Sequence, residues 1–172
     1  WLYMQKIMIV EDDEIIASSI KKHLEKWNYD VRVVNDFENV LEDFRNYEPL
    51  LILLDISLPY YNGYYWCQEI RKESEVPIIF ISSTSENMNI VMAMNMGADD
   101  YIAKPFRPRE LISRIRSVLR RCKKEQRILS CGDLKVNVSS ATVTKGEKEL
   151  FLSALEYRLL LILLQNKGQI LT

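Results

Sequence analysis

Three aliphatic runs, Ile7-Met8-Ile9-Val10, Leu50-Leu51-Ile52-Leu53-Leu54 and Ile78-Ile79-Phe80-Ile81, decide most of what this chain can fold into. They are continuous rather than alternating, so as strands they need apolar neighbours on both faces. That is the pattern of a parallel sheet covered by helices on either side. With the shorter Tyr101-Ile102-Ala103 and a segment around 30–34, they give strand-like stretches at about 6–10, 30–34, 50–54, 77–82 and 99–103. Helical spacing fills the gaps. Ile16, Ile20, Leu24 and Trp27 follow a cap at Asp12 or Asp13, and Phe37, Val40, Leu41 and Phe44 follow a cap at Asp36. Gly63 opens a third helix through Ile70, Ser85 or Glu86 a fourth through Met96, and a fifth starts near Pro108 with Leu111, Ile115, Val118 and Leu119 on one face. This alternation predicts βαβ units wound into an α/β fold with a five-stranded, doubly wound parallel sheet.

Four of the strand-like runs end in a polar residue: Glu11-Asp12-Asp13, Asp55, Ser82 and Lys104-Pro105. In an open α/β sheet the carboxyl ends of the strands share one edge, where such folds bind ligands. Glu11, Asp12 and Asp55 would then crowd three carboxylates together, which is unfavourable without a cation. Mg²⁺, a hard ion that takes oxygen ligands, fits that need. Asp55 becomes a candidate nucleophile toward a phosphoryl group, Lys104 a point charge for a phosphoryl oxygen, and Ser82 a hydrogen-bond donor to the product. Each residue alone has a plainer reading: a helix cap, a turn residue, a Lys-Pro turn, a locally satisfied hydroxyl. Their ordered appearance at successive strand ends favours the site.

The remaining residues read differently. From Arg107 to Arg127 there are nine basic and two acidic residues within a net charge of −1, so the rest of the chain carries −8. That argues against a general polyanion binder, and cations at a helix end with a solvated linker explain the basic segment as well as weak DNA attraction does. We expect one α/β domain over 4–122, a linker over 123–127, and a second unit over 128–172. In the last, strands at 134–138, 141–144 and 149–151 are joined by turns at Ser139-Ser140 and Lys145-Gly146-Glu147. Ser153 and Glu156 form a capping box for a helix through Leu164 that stops at Gly168. Cys67, Cys122 and Cys131 share no metal-ligand spacing and read as free thiols of a cytoplasmic protein. No stretch approaches the roughly 20 apolar residues of a membrane span, and residues 1–3 are given no role.

On these motifs the chain resembles a known family. Val10-Glu11-Asp12-Asp13, then Leu53-Leu54-Asp55-Ile56-Ser57-Leu58-Pro59, then Gly97-Ala98-Asp99-Asp100-Tyr101-Ile102-Ala103-Lys104-Pro105-Phe106 are similar to the receiver domain of two-component response regulators, a flavodoxin-like fold. With Glu110-Leu111 and Arg114-Ile115-Arg116, the last stretch resembles the OmpR/PhoB subfamily of transcription factors. The resemblance implies that Asp55 accepts a phosphoryl group from a sensor histidine kinase. It implies that Glu11, Asp12, Asp55 and the Ser57 carbonyl arrange Mg²⁺, that Ser82 and Lys104 contact the phosphate, and that Asp13 only caps a helix. It also implies a switch in which Ser82 moves toward the phosphoryl group and Tyr101 swings inward. The fourth helix, fifth strand and fifth helix then form a homodimer face with Asp99, Asp100, Glu110 and Arg114 in ion pairs. Such a protein is a regulator rather than an enzyme, beyond any intrinsic autophosphorylation or dephosphorylation.

Residues 128–172 resemble the start of a winged-helix DNA-binding domain, with Leu152-Ser153-Ala154-Leu155-Glu156-Tyr157-Arg158-Leu159-Leu160 as its first helix. The recognition helix would follow Thr172, so the 172 residues alone are expected not to bind DNA specifically, with 150–172 loosely packed or covered. A departure from the subfamily is the uncharged Asn87-Met88-Asn89-Ile90-Val91-Met92-Ala93-Met94-Asn95-Met96. With Phe80-Ile81-Ser82-Ser83 it is similar to the BceR/GraR-like branch, and it would make the dimer face more apolar. Gly63 suits a positive φ in an Asn62-Gly63 turn, and the nearby Tyr60, Tyr61, Tyr64, Tyr65 and Trp66 either pack under the loop or help dock a kinase. His23 reads as a surface residue. A haloacid-dehalogenase-type hydrolase would need an acid at Ser57, and a dinucleotide site a glycine-rich turn in place of Glu11-Asp12-Asp13. A stand-alone receiver acting through protein contacts is the remaining alternative.

Overall fold

The computed structural model describes residues 4–83, 87–122, 128–138 and 140–166, with the backbone alone at 87–89. The first unit comprises β1 (Gln5–Val10), α1 (Glu14–Lys26), β2 (Tyr29–Val33), α2 (Val40–Tyr47), β3 (Leu51–Asp55), α3 (Gly63–Arg71), β4 (Ile78–Ser82), α4 (Asn87–Asn95), β5 (Asp100–Ala103) and α5 (Pro108–Arg121). Its strands lie in the order β2-β1-β3-β4-β5, all parallel. The second unit has β6 (Ile128–Cys131), β7 (Leu134–Asn137), β8 (Thr142–Lys145) and β9 (Lys148–Leu150) in an antiparallel sheet, followed by α6 (Ala154–Gln165).

Period-two alternation along the buried strands divides the core. Ile7, Ile9, Leu51, Leu53, Ile79, Ile81 and Ile102 pack toward α1 and α5 through Ile20, Leu24, Leu111, Ile115 and Val118. Met8, Val10, Ile52, Leu54, Ile78 and Phe80 pack toward Val40, Phe44, Trp66, Ile70 and Ala93 of α2, α3 and α4. A strand apolar on both faces is thus sandwiched, as its composition demands.

The caps divide into expected and unexpected ones. Asp13 caps α1, its Oδ1 accepting from the Ile15 and Ile16 amides at 2.9 and 3.1 Å. Asn62 caps α3, accepting from the Tyr65 amide at 3.0 Å. The capping box of α6 is complete, with the Ser153 amide donating to Glu156 Oε2 at 2.7 Å. Asp36, however, does not cap α2. It accepts from the Glu38 amide and the Asn39 side chain four residues before the helix begins, so it builds a turn into Asn39 instead. The positive φ in the loop after β3 falls on Tyr60, at 65°, and not on Gly63. His23, expected at the surface, is half-buried beside the start of α5, and burial followed by the nearby Lys26 charge lowers its pKa. The strand β6 was not anticipated. The Ser85 or Glu86 cap, the linker 123–127, Ser139 and the Gly168 stop lie outside the described residues. No helix among the described residues is long and apolar enough to cross a membrane.

Candidate functional site

Strand register brings the sequence-distant residues together. Val10 pairs with Leu54, so Glu11 and Asp55 emerge side by side from adjacent strands. Asp55 pairs with Ile81 and Ser82 with Ala103, which places Ser82 one step and Lys104 two steps beyond Asp55 at the same edge. The Lys104 amide donates to the Ser82 carbonyl at 2.7 Å, fixing the last strand's exit.

Glu11 and Asp55 are buried, at 2 % and 3 % exposure, while Asp12 is exposed. A ligand oxygen from each of the three lies within 4.8 Å of the others. Lys104 Nζ donates to Asp55 Oδ2 at 2.8 Å. It also sits 2.6 Å from Glu11 Oε2, a close contact of charges rather than an aligned hydrogen bond. Burial, then the neighbouring Asp55 charge, raise the Glu11 pKa more than Lys104 lowers it. For Lys104, burial pulls downward, but the hydrogen bond to Asp55 and the close charge of Glu11 outweigh it and hold the ammonium above its ordinary range. One ammonium, paired with Glu11 and Asp55, serves a cluster of three carboxyl groups, which leaves a place for further positive charge. The donor set is all oxygen, so these residues fit a hard divalent cation such as Mg²⁺.

The loop after β3 is held by close backbone packing. The Ser57 amide donates to Asp55 Oδ1 at 3.2 Å and the Gly63 amide to the Ile56 carbonyl at 2.9 Å. A Cβ on Gly63 would lie 2.1 Å from the Asp55 carbonyl oxygen. Gly63 is therefore required by space rather than by dihedral angle, a role that only a close approach in three dimensions reveals. Of the aromatic group that follows, Trp66 is buried whereas Tyr60, Tyr61 and Tyr65 are exposed, with Tyr61 stacked on Tyr65 at 4.4 Å.

Ser82 is 1 % exposed and Tyr101 5 %, both interior to the edge that carries Asp55. Asp99 accepts from Arg71 at 3.0 Å and from the Ile78 amide at 2.9 Å, within one copy of the chain. Arg71 also donates to the Gly97 and Val76 carbonyls, so it ties the end of α3 to the loop before β5, a role not read from the sequence. Asp100 pairs with Arg114 at 3.0 Å, and Arg114 with Glu110 at 3.5 Å.

The model for the response regulator receiver domain matches residues 7–116. The response regulator protein GraR of Staphylococcus epidermidis is 40 % identical over 171 residues, covering 97 % of this chain and 76 % of that protein. The chain belongs to the OmpR/PhoB-type response regulators of two-component systems. Among solved structures, this response regulator is similar to the N-terminal domain of the nisin resistance regulator NsrR, a lantibiotic response regulator. They share 47 % identity and a TM-score of 0.62 over 66 % of this chain and 97 % of that one. It is also similar to DrrB, an OmpR/PhoB homologue of Thermotoga maritima, with 32 % identity and a TM-score of 0.62 over 98 % of this chain and 76 % of that one.

Proposed function

We propose that this response regulator takes a phosphoryl group on Asp55 from a sensor histidine kinase and relays it as a change of oligomeric state. The observation that carries the proposal is Lys104 Nζ set 2.8 Å from Asp55 Oδ2 inside a cluster of three carboxylates. An Asp55 oxygen attacks phosphorus, the donor's bond to phosphorus breaks and its electron pair leaves with the donor, and an acyl phosphate results. Mg²⁺ held by Glu11, Asp12, Asp55 and the Ser57 carbonyl would neutralise charge on the transferring oxygens. Lys104, which neutralises Asp55 beforehand, passes to a phosphoryl oxygen afterwards. Burial keeps water sparse around Asp55, where the new anhydride is otherwise open to hydrolysis.

The added phosphoryl group brings about −1.5 to −2 charge and three acceptor oxygens. Ser82 donates to it, Tyr101 repacks inward behind Ser82, and the balance between two packings shifts. A second copy then docks on the α4–β5–α5 face. Val91, Met92 and Met94 are exposed there, so the contact is largely apolar. Asp100, Glu110 and Arg114, paired within one copy, exchange partners at its rim, while Asp99 stays with Arg71 and the Ile78 amide. We place the receiver over 4–122 and the beginning of a winged helix over 128–172, through whose complete form the whole protein acts on DNA in the cytoplasm. It is a regulator, with at most intrinsic phosphoryl transfer and hydrolysis of its own.

Incubation with Mg²⁺ and acetyl phosphate, followed by intact mass and size exclusion, tests this. The expected result is a gain of one phosphoryl and a shift to dimer, both absent in Asp55→Asn, with labelling but no dimer in Ser82→Ala. Labelling that persists in Asp55→Asn would overturn the assignment.

A further inference from the structure

The helix α6 is apolar on nearly every side, yet its only buried residues are Tyr157 and Leu161, with Tyr157 at 2 % exposure. The Tyr157 ring lies 5.9 Å, centre to centre, from the ring of Trp27, which closes α1 of the other unit. Trp27 also meets Arg116 of α5, whose guanidinium carbon is 4.5 Å from the centre of the indole ring. Tyr29, at the start of β2, is 1 % exposed and its hydroxyl has no hydrogen-bond partner among the described residues. Arg116 Nε is likewise buried without one.

These four side chains feel one another. Burial pushes Tyr29 up to about 12 while Arg116 pulls it down, and burial and then Tyr29 push Tyr157 upward. Val136 and Val143 of the second sheet belong to the same continuous apolar core as α1 and α5. A guanidinium that has no carboxylate partner among the described residues and rests on an indole face is stabilised by the ring's quadrupole. The patch is thus aromatic and cationic, and a tyrosine ring is a side chain it suits.

We propose that Trp27, Arg116 and Tyr29 form a docking site on the receiver for α6, with Tyr157 as the inserted residue. The second unit is thereby held on the α1–α5 side. On the other side of α5, Val91, Met92 and Met94 of α4 remain 59 %, 42 % and 43 % exposed. A second copy can therefore occupy the α4–β5–α5 face while Tyr157 stays seated. That consequence rests on the dimer switch proposed above, whereas the docking contact exists without phosphorylation.

Hydrogen–deuterium exchange on the whole chain, without Mg²⁺ or a phosphoryl donor, tests the contact independently of the switch. In Tyr157→Ser, receiver peptides covering Trp27–Tyr29 and Ile115–Leu119 should exchange on the order of tenfold faster, with those around Asp55 unchanged. Tyr157→Phe should behave as the parent, because the ring makes the contact. Since Tyr157→Ser also loosens α6 itself, Trp27→Ser is read reciprocally at the amides of Tyr157 to Leu161, which should lose protection to a similar degree. If each variant changes exchange only within its own unit, the two units are independent and the proposal fails. A Tyr157→Phe protein that behaves like Tyr157→Ser would overturn the ring contact as its basis.

Discussion

The strand β3 and the helix α6 are both leucine-rich, and their surroundings are opposite. Leu51, Ile52, Leu53 and Leu54 are all fully buried, whereas Leu155, Leu159 and Leu163 of α6 are 69 %, 51 % and 58 % exposed. Composition sets the demand for burial in both. Topology meets it in one, because β3 lies between two helical layers of its own unit. The helix α6 has a small sheet and the Trp27 patch on one side, and its other faces, with Phe151 at 87 % exposure, form an apolar surface of the kind that marks a contact region. Hydrophobic residues in the first unit are therefore cohesive, and those of α6 are mostly exposed among the described residues.

The sharpest way to break this comparison is to make the same change in both places. Leu53→Ala empties space between two packed layers and should cost about 2–5 kcal/mol. Leu155→Ala removes a side chain already in water and should stay within about 0.5 kcal/mol. Urea unfolding, with the slope checked for constancy, measures both. Comparable losses at the two positions would mean that α6 is as enclosed as β3, and the contrast would be lost.

The same contrast governs what the sequence made legible. Both-face burial leaves continuous aliphatic runs, so β1, β3 and β4 were directly readable, and with the shorter runs at β2 and β5 they gave the edge where Glu11, Asp55, Ser82 and Lys104 meet. The strand β6 was not, because Ile128-Leu129-Ser130-Cys131 is mostly exposed and follows a basic run with no alternation to signal it. Asp36 carried a cap signal but spends its carboxylate on Asn39 and Glu38, since the helix starts later than the apolar spacing implied. The Arg71–Asp99 pair spans 28 residues, and Trp27 meets Tyr157 across two units, so neither contact has a local pattern to announce it. Local periodicity identifies elements, while contacts set by how elements stack appear only in three dimensions.

Two glycines extend the comparison to loops. At Gly63 a Cβ would collide with the Asp55 carbonyl oxygen at 2.1 Å, and backbone on both sides cannot yield cheaply. Gly63→Ala should cost about 1–3 kcal/mol and slow phosphoryl labelling of Asp55, because the backbone at Asp55, the proposed phosphoryl acceptor, must shift. Gly146 has nothing within 4 Å but holds φ at 60° in the β8–β9 turn. Gly146→Ala should cost about 1 kcal/mol from backbone strain alone, with labelling intact. Asparagine, which tolerates that dihedral, should restore most of the loss at Gly146 and none at Gly63. Recovery at Gly63 with asparagine would show that dihedral angle, and not space, was the constraint there.

The smallest expected effect lies at the start of α6, where local bonding substitutes for burial. The Ser153 amide, then its hydroxyl, hold the exposed Glu156 carboxylate below its ordinary value of 4.5. A folded-state pKa below the unfolded one contributes stability that is fully present above the unfolded value and disappears as pH falls through the folded one. Ser153→Ala should cost about 1 kcal/mol near neutral pH through the lost cap. The stability difference between the parent and Glu156→Ala should be constant above about pH 6 and shrink below the ordinary carboxylate value, since protonation removes the acceptor in the parent as the substitution does. No carboxylate of the first unit's interior is altered by that substitution, so its acid sensitivity should be common to both proteins and cancel. A difference that persists unchanged into strong acid would mean that Glu156 supports α6 by packing rather than by its charge, and that the helix is less dependent on its cap than its exposure implies.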